Sequence, residues 1–116
     1  MHAVIRRYEG VDQKRVKDAM RQVDAEMVPI LRKFSGFLGY YALDAGNGIV
    51  ASISLFETRE GAEASTREAT DWVAKNLRDV ISQPPQVTAG EVLVRHDLIT
   101  TGAMPAREVG REATAG

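Results

Sequence analysis

At 116 residues the chain has room for one domain. Its hydrophobic fraction of 44% and charged fraction of 27% are those of a globular protein and exclude a disordered one. Fifteen basic and sixteen acidic residues leave a net charge of -1, so no global field recruits nucleic acid or an anionic membrane. The absence of cysteine excludes disulfides, thiolate metal sites and a cysteine nucleophile. No apolar run is long enough to cross a bilayer. The N-terminal MHAVIRRYEG lacks the apolar segment of a secretion signal, so the cytoplasm is the expected compartment.

Segment 3–9, AVIRRYE, is rich in β-formers and predicts a first strand closed by Gly10, with Asp12 as the cap of the helix that follows. From Gln13 to Phe34 the apolar residues Val16, Ala19, Met20, Val23, Met27, Ile30, Leu31 and Phe34 define one helical face. Pro29 predicts a kink, or a helix end near Met27. Gly36 closes the helical region. FLGYYALDA (37–45), the turn AGNG (45–48) and IVASISLFE (49–57) predict a hairpin. Thr58 is the expected cap of a second helix running to about Ile81, with Ala62, Ala69, Trp72, Val73, Leu77, Val80 and Ile81 on its buried side. Pro84-Pro85 ends anything helical, and VTAGEVLVRHDL (87–98) is the expected last strand. The domain is expected to span 1–98, with 99–116 a tail or an arm that packs on a partner.

The order β-α-β-β-α-β is the ferredoxin-like plan, an α+β fold with a four-stranded antiparallel sheet and both helices on one face. In strand 49–57, Ile49, Ala51, Ile53 and Leu55 are expected against the helices, leaving Val50, Ser52, Ser54 and Phe56 on the other face. Strand 37–43 alternates between Phe37, Gly39, Tyr41, Leu43 and Leu38, Tyr40, Ala42, and neither set is polar. A sheet apolar on both faces needs a second cover, and another copy of the chain supplies one; a homodimer is therefore expected.

With IRRYEGV (5–11), RKFSGFLGYYALDAGNG (32–48), SISLFET (52–58) and DWVAKNL (71–77), the chain resembles the antibiotic biosynthesis monooxygenase family of the dimeric α/β-barrel superfamily over residues 3–98. The resemblance implies a dimeric barrel. It also implies a cavity between sheet and helices, where a hydrophobic aromatic quinol or anthrone is deprotonated and reacts with oxygen without metal or other cofactor. Such chemistry needs a base, a donor for the developing oxyanion and exclusion of water. Haem-degrading relatives use an Asn in the first strand and a Trp and a His on the second helix. Trp72 alone has a counterpart here.

The candidate catalytic residues are Trp72, Asn76 and His96. Trp72 and Asn76 are four apart and share a helix face. They read either as a cavity wall, with Asn76 donating to a substrate oxygen, or as a core tryptophan and a backbone-bonded amide. Quinol oxygenases of this family carry an Asn and a Trp on this helix in the opposite order. His96 follows Val92 and Val94 on one face of the last strand and reads as a general base or as a satisfied histidine at a dimer edge. No second histidine stands at ligand spacing to make a metal site.

Tyr40, Arg6 and Phe56 are the candidate substrate-binding residues. Of Tyr40 and Tyr41 one faces the helices, and so does one of Arg6 and Arg7. An inward Arg meets either an anionic ligand or a carboxylate of Glu9, Glu57 or Glu91. The enzymatic reading predicts a cavity of roughly 300 Å³ or more lined by Trp72 and Asn76. The alternative is a binding or stress-associated dimer without turnover.

Overall fold

The computed structural model describes residues 1–97. Four strands, β1 (His2–Tyr8), β2 (Phe37–Gly46), β3 (Ile49–Phe56) and β4 (Gln86–Glu91), form one antiparallel sheet in the order β2-β3-β1-β4. That is the ferredoxin-like arrangement, with β1 and β3 central and β2 and β4 at the edges.

The first helical region starts with a 3₁₀ turn, Gln13–Arg15, capped by the Asp12 carboxylate, which accepts from the Lys14 N–H at 3.1 Å. It continues as α1 (Val16–Gln22), a π-helical segment (Val23–Met27) and α2 (Val28–Arg32). Pro29 does not end the helix. It sits in the first turn of α2, where a missing N–H is tolerated, and the π turn just before it takes up the irregularity. Val23, Met27 and Leu31 stay buried across the junction, so burial of the apolar stripe holds the helix through its proline.

The hairpin forms as the sequence predicts. Gly46, Asn47 and Gly48 all have positive φ, at 81°, 55° and 76°. Helix α3 (Arg59–Asn76) begins where Thr58 Oγ1 accepts from the Gly61 N–H at 3.1 Å. It ends at Asn76 rather than Ile81. Leu77, Val80 and Ile81 continue as a turn, tied by the Ile81 N–H to the Leu77 carbonyl at 2.7 Å, and Leu77 and Ile81 still bury their side chains.

Which sheet face meets the helices is the reverse of the expectation for β3. Val50, Ser52, Ser54 and Phe56 are buried beneath the helices, while Ile49, Ala51, Ile53 and Leu55 are half-exposed on the outer face. Strand β1 fixes the phase: Val4, Arg6 and Tyr8 are buried, and the register pairs Arg6 with Ser52 and Tyr8 with Val50. A β-bulge between Phe37 and Gly39 turns Phe37 inward, where its ring meets Phe56 edge-on at 5.6 Å. Tyr40 is then on the helix side and Tyr41 on the outside, 49% exposed. The outer face carries Ile5, Tyr41, Leu43, Ile53 and Leu55, an apolar patch on a sheet whose helices lie on the other side.

The last strand is shorter than predicted. β4 stops at Glu91, and Leu93, Val94, Arg95, His96 and Asp97 are exposed beyond it. Leu98 and the expected tail at 99–116 lie outside the described residues. No helix among the described residues is long and apolar enough to cross a membrane.

Candidate functional site

Among the described residues Arg6 is the largest fully buried side chain, 2% exposed at the centre of the sheet beneath the helices. Strand alternation puts it there: Val4 and Tyr8 on either side are core residues, and Arg7 is carried outward, where it pairs with Glu9 at 3.4 Å. Among the described residues Arg6 has no carboxylate partner, so none of Glu9, Glu57 or Glu91 neutralises it. Its hydrogen bond is from Nε to Ser52 Oγ, at 3.3 Å. A buried cation without a counter-charge is costly, and a serine hydroxyl does not offset that cost.

Arg6 lines a narrow cavity of about 20 Å³ between the sheet and the helices, with Tyr8, Tyr40 and Ser52 as its other polar side chains. Met20, Met27, Val50 and Val73 supply apolar wall. The Tyr8 hydroxyl is buried and has no hydrogen-bond partner. A buried phenol normally has one, so this donor is unspent. Burial pushes the Tyr8 phenol above its ordinary pKa, the Arg6 cation opposing that shift and Tyr40 adding to it. Tyr8 is therefore a neutral donor across the physiological range. No aspartate, glutamate or histidine lines this cavity among the described residues, so it offers cationic and neutral donors and no strong base. Nor does any group of three or more metal-ligating residues occur among the described residues.

The predicted site residues divide. Arg6 and Tyr40 meet in the cavity. Trp72 does not line it; it is buried in the core with Val73 and Leu77. Asn76 lies on the exposed side of α3 and donates from Nδ2 to the Trp72 carbonyl at 2.9 Å, which spends its amide on the helix end. The expected cavity of roughly 300 Å³ behind these two residues is replaced by packed core. Phe56 is fully buried in a separate cluster with Val4 and Ala62, away from the cavity. His96 is exposed beyond β4 and contributes nothing to the cavity. Tyr8 and Ser52 were missed. Tyr8 was legible, since it stands two residues after Arg6 on one strand and must share its face. Ser52 was hidden by the inverted phase of β3.

No protein-family model matches the chain, and no curated protein matches it. Solved structures do. A protein of unknown function from Nitrosomonas europaea superposes with a TM-score of 0.66 at 20% identity, covering 85% of this chain and 95% of its own. A provisional antibiotic biosynthesis monooxygenase from the same organism gives 0.62 at 14% identity, covering 81% of this chain and all (100%) of its own. The monooxygenase of the ActVA-Orf6 gene of Streptomyces coelicolor, solved with nanaomycin D, gives 0.58 at 14% identity, covering 86% and 92%. The chain has the α+β fold of the antibiotic biosynthesis monooxygenases.

Proposed function

We propose that the protein binds a small organic anion in the Arg6 cavity, and that its reaction is the cofactor-independent oxygenation of an electron-rich phenolate such as an anthrone or hydroquinone. The observation that carries this reading is the buried Arg6 guanidinium, without a carboxylate partner among the described residues, beside the unpartnered Tyr8 hydroxyl. A phenolate oxygen at that point supplies the missing charge and accepts the unspent hydrogen bond. The fold shared with monooxygenases supports the choice of reaction.

The chemistry follows from the donors. Among the described residues the cavity has no carboxylate or histidine base, so the substrate enters as an anion, having given its proton to solvent. An anthrone anion then gives its electrons to O₂ at its methylene carbon. One oxygen atom stays as the new carbonyl and the other leaves as water, the substrate supplying all four electrons. Arg6 and Tyr8 hold the oxygen on which charge is delocalised. At about 20 Å³ the cavity holds roughly one water, so a ring is admitted only as the walls move. Met20 and Met27, unbranched and adaptable, are the wall residues suited to that.

That no base lines the cavity among the described residues favours one second reading, a protein that binds such an anion without turning it over. Oxygen uptake with anthrone and hydroquinone panels, without added metal or flavin, separates the two. The oxygenase reading expects uptake that Arg6→Met abolishes. Saturable binding with uptake no faster than in buffer would leave the binding reading alone.

For quaternary structure, the proposal is a homodimer joined through the outer sheet face. Ile5, Tyr41, Leu43, Ile53 and Leu55 form an apolar surface that a second sheet, packed face to face, removes from water.

A further inference from the structure

The cavity around Arg6 has a larger neighbour. A surface groove of about 380 Å³ runs between the C-terminal half of α3 and the loop carrying Pro84 and Pro85. Tyr8, Val73 and Ile81 line both spaces, so these three side chains are the wall between them. The Tyr8 hydroxyl is buried without a partner, and Ile81 belongs to the turn that follows α3. The groove is also lined by Arg78, an exposed cation without an ion pair among the described residues, and by Thr70, Ala74 and Gln83.

We infer that the groove is the outer part of the ligand site, and that the ligand is an elongated aromatic with two acidic groups, one held by Arg6 in the cavity and one by Arg78 at the surface. This rests on the reading of the Arg6 cavity given above. It adds the shape and charge of the molecule. Volume supports it: the cavity admits about one water, whereas the groove accommodates a ring system. Charge supports it too, since each space is lined by one arginine and no acidic side chain lines either among the described residues. Ala42, exposed on β2, lines the cavity on its other side and offers a competing way out.

Calorimetric titration at low salt with two probes tests the inference. The short probe is 4-nitrophenolate, with one ring and one anion. The long probe is 4′-hydroxybiphenyl-4-carboxylate, with an acidic group at each end. Circular dichroism melts confirm that each variant is folded. The wild type is expected to bind both, and Arg6→Met to lose both. Ala74→Trp, which fills the groove from an exposed helix position, is expected to weaken the long probe by about tenfold or more and spare the short one. Arg78→Ser is expected to weaken the long probe by about fivefold, an effect that salt removes, and to spare the short one. If Arg6→Met fails while Ala74→Trp and Arg78→Ser bind both probes normally, the groove inference falls and the cavity reading stands. If Ala42→Trp rather than Ala74→Trp excludes the long probe, the ligand leaves by the β2 edge and the inference is overturned. Wild-type-like binding by Arg6→Met, or no binding by the wild type, overturns the cavity reading and the inference with it.

Discussion

Arg6 Nε donates to Ser52 Oγ at 3.3 Å, directly across the β1–β3 pair and beneath the helices. The two residues are register partners, so the sheet itself sets the contact. It places the most buried cation among the described residues against a neutral hydroxyl where a structural arginine would have a carboxylate.

That relationship predicts a stability gain on removing the charge. Arg6→Met keeps most of the volume and removes an uncompensated buried cation. Urea unfolding is expected to show a variant as stable as the wild type or up to about 3 kcal/mol more stable. A loss of several kcal/mol would mean that Arg6 is structurally paired.

Tyr8 gives a pH signature. Its folded-state pKa is raised, chiefly by burial, so the unfolded chain loses this proton first. The stabilisation is complete below the ordinary phenol pKa of about 10 and is lost as pH rises from there through the higher folded value. Tyr8→Phe removes this part of the alkaline decline. At pH 7 the substitution is expected to cost less than about 1 kcal/mol, because the hydroxyl it deletes makes no hydrogen bond in the protein. Paired thermal melts of the two proteins between pH 7 and 11 check both statements.

Asn76→Ala is expected to change little. The side chain is exposed and serves the end of α3, so the cost is about 0.5 kcal/mol or less, and probe binding stays at the wild-type level. Binding lost from a folded Asn76→Ala protein would return this amide to the site.

Gly48 is a backbone requirement of the hairpin. Its φ is 76°, and an added Cβ would stand 2.9 Å from the Val11 carbonyl oxygen. The Val11 N–H also bonds the Gly48 carbonyl at 2.9 Å, which leaves this contact little room to relax. Gly48→Ala is expected to destabilise by about 1–3 kcal/mol in denaturant unfolding.

The outer sheet face predicts the assembly. Sedimentation of the wild type at micromolar concentration is expected to give a dimer, and Tyr41→Glu with Leu43→Glu a folded monomer. A wild-type monomer would contradict the dimer proposal.

Local chemistry was legible in the sequence. Positive-φ residues at 46–48, the Thr58 cap, the apolar stripe of the first helix and the β-α-β-β-α-β order follow from constraints within a few residues of each other, and they determined the fold class. The phase of each strand was a different matter. Strand alternation says which residues share a face, and it says nothing of which face meets the helices when both are apolar. In β3 the more apolar set, Ile49, Ala51, Ile53 and Leu55, was the natural choice for the core, yet it lies outside. Pairing with β1 decided otherwise, because Val4 and Tyr8 are buried with Arg6 between them. The same inversion moved the site. Sequence spacing joined Trp72 to Asn76 along one helix, whereas tertiary packing joined Arg6, Tyr8, Tyr40 and Ser52 from three strands, contacts that exist only once the sheet register is set.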